Sequence, residues 1–177
     1  TKSRSSMGVR GIRLLKNDHI ISISILTHID VTSAEAKAYL KLVTTNKKTD
    51  KEREEIDKML KEDKSEDIKL SPNRFDEMKA REQFILTVTE NGYGKQTLIK
   101  EFSRRKRGGK GVIAIQTSKR NGKLIAADQV QSGDEVIFIS SVGNLIRTTI
   151  ENISIIGRNT QGVKLIRLNE EDKLLEM

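Results

Sequence analysis

The sequence predicts an all-β fold of propeller-like blades, each of about four short strands, broken once by a helical insertion. Three observations predict it: an internal repeat of about 50 residues, period-two alternation of apolar side chains beside Asn-Gly turns, and one stretch where helix grammar replaces both.

The repeat emerges when the glycines are aligned. ILTVTENGYGKQTLIKEFSRRKRGGKGVIAI, from Ile85 to Ile115, matches VIFISSVGNLIRTTIENISIIGRNTQGVKLI, from Val136 to Ile166, at a shift of 51 residues. Gly92 falls on Gly143, Thr97 on Thr148, Arg107 on Arg158, and Gly111-Val112 on Gly162-Val163. A third copy of the module's end opens the chain, because Gly8-Val9-Arg10 with Asp18 ten residues on matches Gly162-Val163-Lys164 with Asp172 ten residues on. A module of this size suits one propeller blade.

Within the modules the local signals are β. Ile21, Ile23 and Ile25 alternate with Ser22 and Ser24, and Phe84, Leu86 and Val88 alternate with Ile85, Thr87 and Thr89. Asn91-Gly92, Asn121-Gly122 and Gly143-Asn144 supply residues that tolerate the positive φ of tight hairpin turns. From Thr27 to Gln83 this pattern stops. Thr32-Ser33-Ala34-Glu35 is a capping box with Ala36, Tyr39, Leu40 and Val43 on one face behind it. Thr49 and Glu52 form a second box before Ile56, Met59 and Leu60, and Ser71 caps a third helix with Pro72 in its first turn. The chain is thus expected to divide into 1–26, the end of one blade and the start of the next; 27–83, the mainly helical insertion; 84–135, a blade; and 136–177, a further blade forming the C-terminal part.

Charge indicates the class of partner. The 177 residues carry 33 Lys+Arg against 25 Asp+Glu, a net charge of +8, which favours an anionic partner, either nucleic acid or a membrane surface. No apolar run approaches the roughly 18 residues of a membrane span, and no signal-peptide pattern is present. The absence of cysteine excludes disulfides and thiolate zinc sites and fits a reducing cytosol. Because the chain starts at Thr1 and not at Met, it is expected to be a piece of something longer. Residues 30–83 hold 13 basic and 14 acidic side chains, so all of the positive excess lies in the β repeats. Six aromatic rings and no Trp are few for stacking single-stranded bases, which points to phosphate contact on a duplex.

The densest cationic run is Arg104-Arg105-Lys106-Arg107-Gly108-Gly109-Lys110-Gly111. Its adjacent cations raise the local potential, and its glycines let backbone N–H groups approach phosphate oxygens. The bland alternative is a solvated turn whose like charges repel. The matching loop, Arg158 to Gly162, contributes Arg158 but is far less basic, so the modules are not expected to contribute equally. A second tier on strands or their ends comprises Arg10, Arg13, Lys95, Lys100, Arg147, Lys164 and Arg167. Singly, each is more readily explained as a solvated face. Their recurrence at equivalent places, Arg10 with Lys164 and Arg13 with Arg167, suggests a continuous outer stripe on which DNA would bend, selected by deformability and not by base edges.

Catalytic readings fail. Gly94-Lys95-Gln96 lacks the hydroxyl residue of a phosphate-binding loop, and Thr89 stands where its first glycine would be. Tyr93 in Asn-Gly-Tyr-Gly is explained as a residue past a hairpin turn, His19 and His28 have no paired carboxylate motif, and Asp18 and Asp172 recur at a turn position.

The segments from Met7 to Leu14, Phe84 to Lys95, Gly108 to Ile115 and Ile153 to Leu168 closely resemble the C-terminal domain of the A subunit of bacterial DNA gyrase, over 120 of 177 residues. The resemblance implies a β-pinwheel, a propeller-like ring whose blades exchange strands. It also implies a basic rim that wraps double-stranded DNA for strand passage, and negative supercoiling driven by ATP hydrolysis on the B subunit. The partners implied are duplex DNA, the rest of the gyrase A subunit and the gyrase B subunit, with no membrane, in the bacterial cytoplasm at the nucleoid. The nucleophilic tyrosine, the ATPase site and the Mg2+ would lie elsewhere in the holoenzyme, so no cofactor and no catalytic residue is expected in this chain. Where the family's hallmark heptapeptide reads Gln-Arg-Arg-Gly-Gly-Lys-Gly, Arg105 to Gly111 reads RKRGGKG, in a later blade, and is taken as the blade-equivalent loop. The insertion is a second departure, expected to dock on the ring's side or elsewhere in the holoenzyme. Competing readings are the corresponding domain of the topoisomerase IV A subunit and a propeller-type protein-interaction scaffold.

Overall fold

The structure is a computed structural model, and it describes residues 5–28, 30–45, 66–169 and 171–177. Its elements in order are α1 (Ser33–Thr45), α2 (Pro72–Ala80), β1 (Phe84–Thr89), β2 (Tyr93–Leu98), β3 (Leu124–Val130), β4 (Glu135–Ser140), β5 (Leu145–Thr149), β6 (Val163–Lys164) and β7 (Leu174–Glu176). Two sheets form, one in the order β3-β1-β2-β6 and the other β5-β4-β7, with every strand pair antiparallel.

The sequence repeat is a repeat of hydrogen bonds. β1 falls on β4 at the 51-residue shift, and the 3-10 turn Ile99–Glu101 that follows β2 falls on Ile150–Asn152 after β5. Gly92 N–H donates to Thr89 O and Gly143 N–H to Ser140 O, both at 3.0 Å, closing equivalent hairpins with φ of 77° and 84° at the two glycines. Ladder irregularities also coincide, between Val88 and Thr89 in one copy and between Ile139 and Ser140 in the other.

Strands are exchanged between modules. The fourth strand of the first sheet, β6, comes from the second module, pairing Lys164 with Tyr93 and Val163 with Gly94. Closeness here depends on glycine. A Cβ on Gly94 would lie 2.5 Å from both Leu165 Cδ1 and Thr87 O, and one on Gly162 would lie 2.8 Å from Gly94 O. The second sheet has three strands among the described residues, so the expectation of four strands per blade holds only where a neighbour donates one.

The alternating Ile21, Ile23 and Ile25 do not form a strand. This segment makes no ladder, with Ile23 and Ile25 92% and 93% exposed. It corresponds to β3, whose ladder is made with β1, and the described residues contain no counterpart of β1 for it. Its serines bind β3 by side chain instead: Ser22 Oγ donates to Ala127 O and Ser24 Oγ to Asp128 Oδ1, each at 2.7 Å.

The helices leave from the place where the other copy has a short turn. Gln83 stands at the blade position of Asp134: Ile99 N–H donates to Gln83 O and Ile150 N–H to Asp134 O, both at 3.0 Å. The Gln83 carboxamide then clasps Thr27, accepting from its N–H and donating to its O at 3.1 Å each. The capping box of α1 is formed in both directions, with Glu35 N–H to Thr32 Oγ1 at 3.2 Å and Thr32 N–H to Glu35 Oε2 at 2.8 Å. Ser71 caps α2, accepting from Arg74 N–H at 3.3 Å, with Pro72 first in the helix. Thr49, Glu52, Ile56, Met59 and Leu60, the expected middle helix, lie outside the described residues.

One core spans both sheets. Leu86 and Val88 of β1 and Val130 of β3 meet Phe138 of β4, Ile150 and Leu174 of β7 in a single buried cluster. Removing the Phe138 ring would cost about 3–5 kcal/mol. A smaller cluster of Leu40, Val43, Leu98 and Phe84 joins α1 to the first module.

Candidate nucleic-acid interface

The basic run from Arg104 to Lys110 leaves the first module as an irregular turn, made possible by positive φ of 75° at Gly108 and 76° at Gly111. Arg104, Arg105, Lys106, Arg107 and Lys110 are all exposed. Residues Arg105 to Gly111 line a shallow depression of about 490 Å³. The turn is held from behind by the N-terminal segment: Gly108 N–H donates to Gly11 O at 2.7 Å, and Arg13 N–H to Gly109 O at 2.8 Å. Ile12 and Gly109 form a parallel bridge at the same place. The backbone thus brings Arg10 and Arg13, both exposed, to the basic turn. The next seam repeats the contact, with Gln116 N–H donating to Thr160 O at 2.9 Å.

The remaining predicted cations divide by what already holds them. Arg167 and Lys164 are exposed on the segment that crosses to the first module. Arg147 is exposed but ion-paired with Glu135 across the β4–β5 ladder. Arg158 is half-buried, donating from Nη1 to Ile113 O at 2.5 Å, while its N–H donates to Glu101 Oε2 at 2.7 Å.

Lys95 and Lys100 depart from the expected outer stripe. Lys95 is fully buried, and its Nζ donates to Gly157 O at 2.7 Å, Arg158 O at 2.5 Å, Thr160 O at 3.3 Å and Thr160 Oγ1 at 3.1 Å. It ties the first module to the loop of the second that corresponds to the basic turn. A buried ammonium is tolerable only with such satisfaction. Lys100 is half-buried under the insertion, with Nζ 3.1 Å from Met78 O and 4.4 Å from the Tyr39 ring centroid, and burial lowers its pKa. As cations of strands or strand ends both are expected on an outer stripe, whereas β2 is buried along nearly its whole length, paired with β1 and β6 on its two sides, and Lys100 lies in the 3-10 turn beyond it.

Sequence patterning misses Lys119, Arg120 and Lys173, which gather around the Asn91–Tyr93 hairpin. Asn91 Nδ2 donates to Lys119 O at 3.3 Å and Arg120 O at 3.1 Å, and Lys173 Nζ donates to Asn91 Oδ1. Only the Lys119-Arg120-Asn121-Gly122 turn could have signalled them, and it reads as an ordinary turn. Asp18 accepts from Leu15 N–H at 3.2 Å, as its turn position implies. Among the described residues no group of three His, Asp or Glu side chains is placed to hold a metal, and no helix is long and apolar enough to cross a membrane.

Strand-exchanged modules with a basic glycine turn at their seam define a propeller-type repeat domain with a cationic surface. The chain belongs to the DNA gyrase C-terminal domain family: the family described as "DNA gyrase C-terminal domain, beta-propeller" matches residues 1–27, 83–131 and 134–177 and leaves out the helices. The DNA gyrase A subunit of Rickettsia bellii is 38% identical over 176 residues, covering 98% of this chain and 19% of that protein. Its counterpart in Granulibacter bethesdensis is 36% identical over 176 residues, covering 96% and 19%. The Pseudomonas aeruginosa counterpart is 54% identical over 91 residues, 51% of this chain and 10% of that one. A solved DNA gyrase A C-terminal domain superposes with a TM-score of 0.50 at 30% identity, covering 52% of this chain and 32% of that one. The chain therefore spans about a fifth of the length of the curated relatives it matches.

Proposed function

We propose that this chain binds duplex DNA by its backbone and wraps it, as the C-terminal domain of a gyrase A subunit, in support of ATP-dependent negative supercoiling by the holoenzyme. The observation that carries the reading is the exposed turn from Arg104 to Lys110, whose glycines are hydrogen-bonded to Gly11 and Arg13 of the N-terminal segment. A turn whose backbone is held in this way leaves less main chain to order on binding. Arg10, Arg13 and Arg167 extend the surface across the modules, whereas Lys95, Lys100 and Arg158 act within the fold. The partners are double-stranded DNA, the rest of the gyrase A subunit and the gyrase B subunit, in the bacterial cytoplasm. Strand cleavage and ATP hydrolysis with Mg2+ belong to those other parts.

Replacing Arg104, Arg105, Lys106 and Arg107 with Ala should weaken binding to a labelled duplex and lower the salt slope by roughly one for each phosphate no longer neutralised. Unchanged affinity and slope would favour the protein-interaction scaffold, for which the basic surface is incidental.

A further inference from the structure

The cations of this molecule differ in whether a carboxylate already neutralises them. Lys37 and Lys41 meet Asp67, Arg74 meets Glu35 and Glu77, and Arg147 meets Glu135. Around the Asn91–Tyr93 hairpin the arrangement is different. The Arg120 guanidinium lies 4.9 Å from the Tyr93 ring centroid and the Lys164 ammonium 5.5 Å from it. Lys173 is tied to Asn91 by its Nζ. Among the described residues no ion pair engages Arg120, Lys164 or Lys173, and all three are exposed. Glu90, the carboxylate of the same hairpin, is turned to the Lys123 N–H at 3.1 Å. A cation resting on a ring face gains attraction without losing its charge, so it remains available to an anion.

The site is composite. Tyr93 and Arg120 belong to the first module, whereas Lys164 reaches the ring because β6 crosses the seam and pairs with Tyr93. It is also single: at the 51-residue shift Asn144 stands for Tyr93 and Glu171 for Arg120, so the second module carries no copy of it. We infer that Arg120 and Lys164, set over the Tyr93 ring, together with Lys173, held by Asn91 of the same hairpin, form a second backbone-phosphate site for duplex DNA, distinct from the basic turn and assembled only where the two modules exchange strands. The inference rests on the DNA-binding reading above and extends it to a second point of contact on the duplex. The Arg120 guanidinium also lowers the pKa of the Tyr93 hydroxyl, in keeping with a cation-rich site.

The test is anisotropy titration of a labelled duplex at several salt concentrations with the full chain. The Arg120→Ala, Lys164→Ala double variant should bind about tenfold more weakly near physiological salt and reduce the salt slope by about two, as two phosphate contacts require. Lys79→Ala, which removes one charge from the exposed face of α2, should change neither. Tyr93→Leu changes no charge and should still weaken binding a few-fold, whereas Tyr93→Phe, which keeps the ring, should not. The double variant alters only exposed side chains and decides the question if Tyr93→Leu does not fold. If the double variant matches Lys79→Ala while the Arg104–Arg107 variant loses affinity, the second site is wrong and the DNA reading stands. If neither loses affinity, both are wrong.

Discussion

Lys95 illustrates how much one side chain can organise. Oxygens of Gly157, Arg158 and Thr160 converge on its ammonium inside the seam. Lys95→Met keeps most of the volume but strands those carbonyls, and should cost about 2–4 kcal/mol in urea unfolding. A loss under about 0.5 kcal/mol would show that water serves the carbonyls equally well. The sequence marks Lys95 only as one cation among several on strands or their ends, and nothing local distinguishes a lysine that faces DNA from one that faces the adjoining module. Glu35 makes a second residue-scale prediction. Hydrogen bonds from Arg74, then from Thr32 N–H, lower its pKa from the ordinary 4.5 to about 2. A depressed carboxylate stabilises the fold above its unfolded pKa, and that stability is lost as pH falls from about 4.5 towards 2. Arg74→Met should therefore reduce stability at neutral pH and flatten its fall over that acid window; an unaltered acid profile would contradict the assignment.

At the scale of elements, the glycine alignment pairs β1 with β4 and the hairpin turn at Gly92 with that at Gly143, because each copy obeys the same hydrogen-bond scheme. Capping chemistry likewise locates the described helices, since Thr32–Glu35 and Ser71–Pro72 act within a few residues. What the sequence does not reveal is partnership at a distance. Val163 and Lys164 carry no local mark that they complete another module's sheet, and Ile21, Ile23 and Ile25 carry the alternation of a strand without a ladder to join. The helical insertion behaves as an elongated blade turn, clasped at its base by Gln83 and Thr27 and packed on Leu98 and Phe84 through α1. Its near-neutral charge and its position lead to a clear expectation: replacing residues 28–82 with a short turn such as Gln131–Asp134 should leave duplex affinity nearly intact. A tenfold loss in the same titration would mean that the helices contribute to the DNA surface.

On the scale of the whole molecule, charge and topology act together. The positive excess is confined to the β modules, and each seam holds a cationic site built from both of its sides: Arg10 and Arg13 with the Arg104–Lys110 turn, then Tyr93 and Arg120 with Lys164. Cationic sites at both seams suit a bent duplex held through phosphates at more than one place. The net charge predicts an anionic partner, and the proposed function takes that partner to be duplex DNA. Composition alone does not reveal the seams, because they arise from strand exchange. Wrapping, as opposed to simple attachment, is the central claim, and it is measured by sealing a nicked DNA circle with ligase in the presence of the chain and resolving the topoisomers after the protein is removed. The linking number should shift in one direction with protein concentration and return towards the protein-free distribution for the Arg104–Arg107 alanine variant. A wild-type chain that saturates the circle and leaves the linking number unchanged would contradict wrapping.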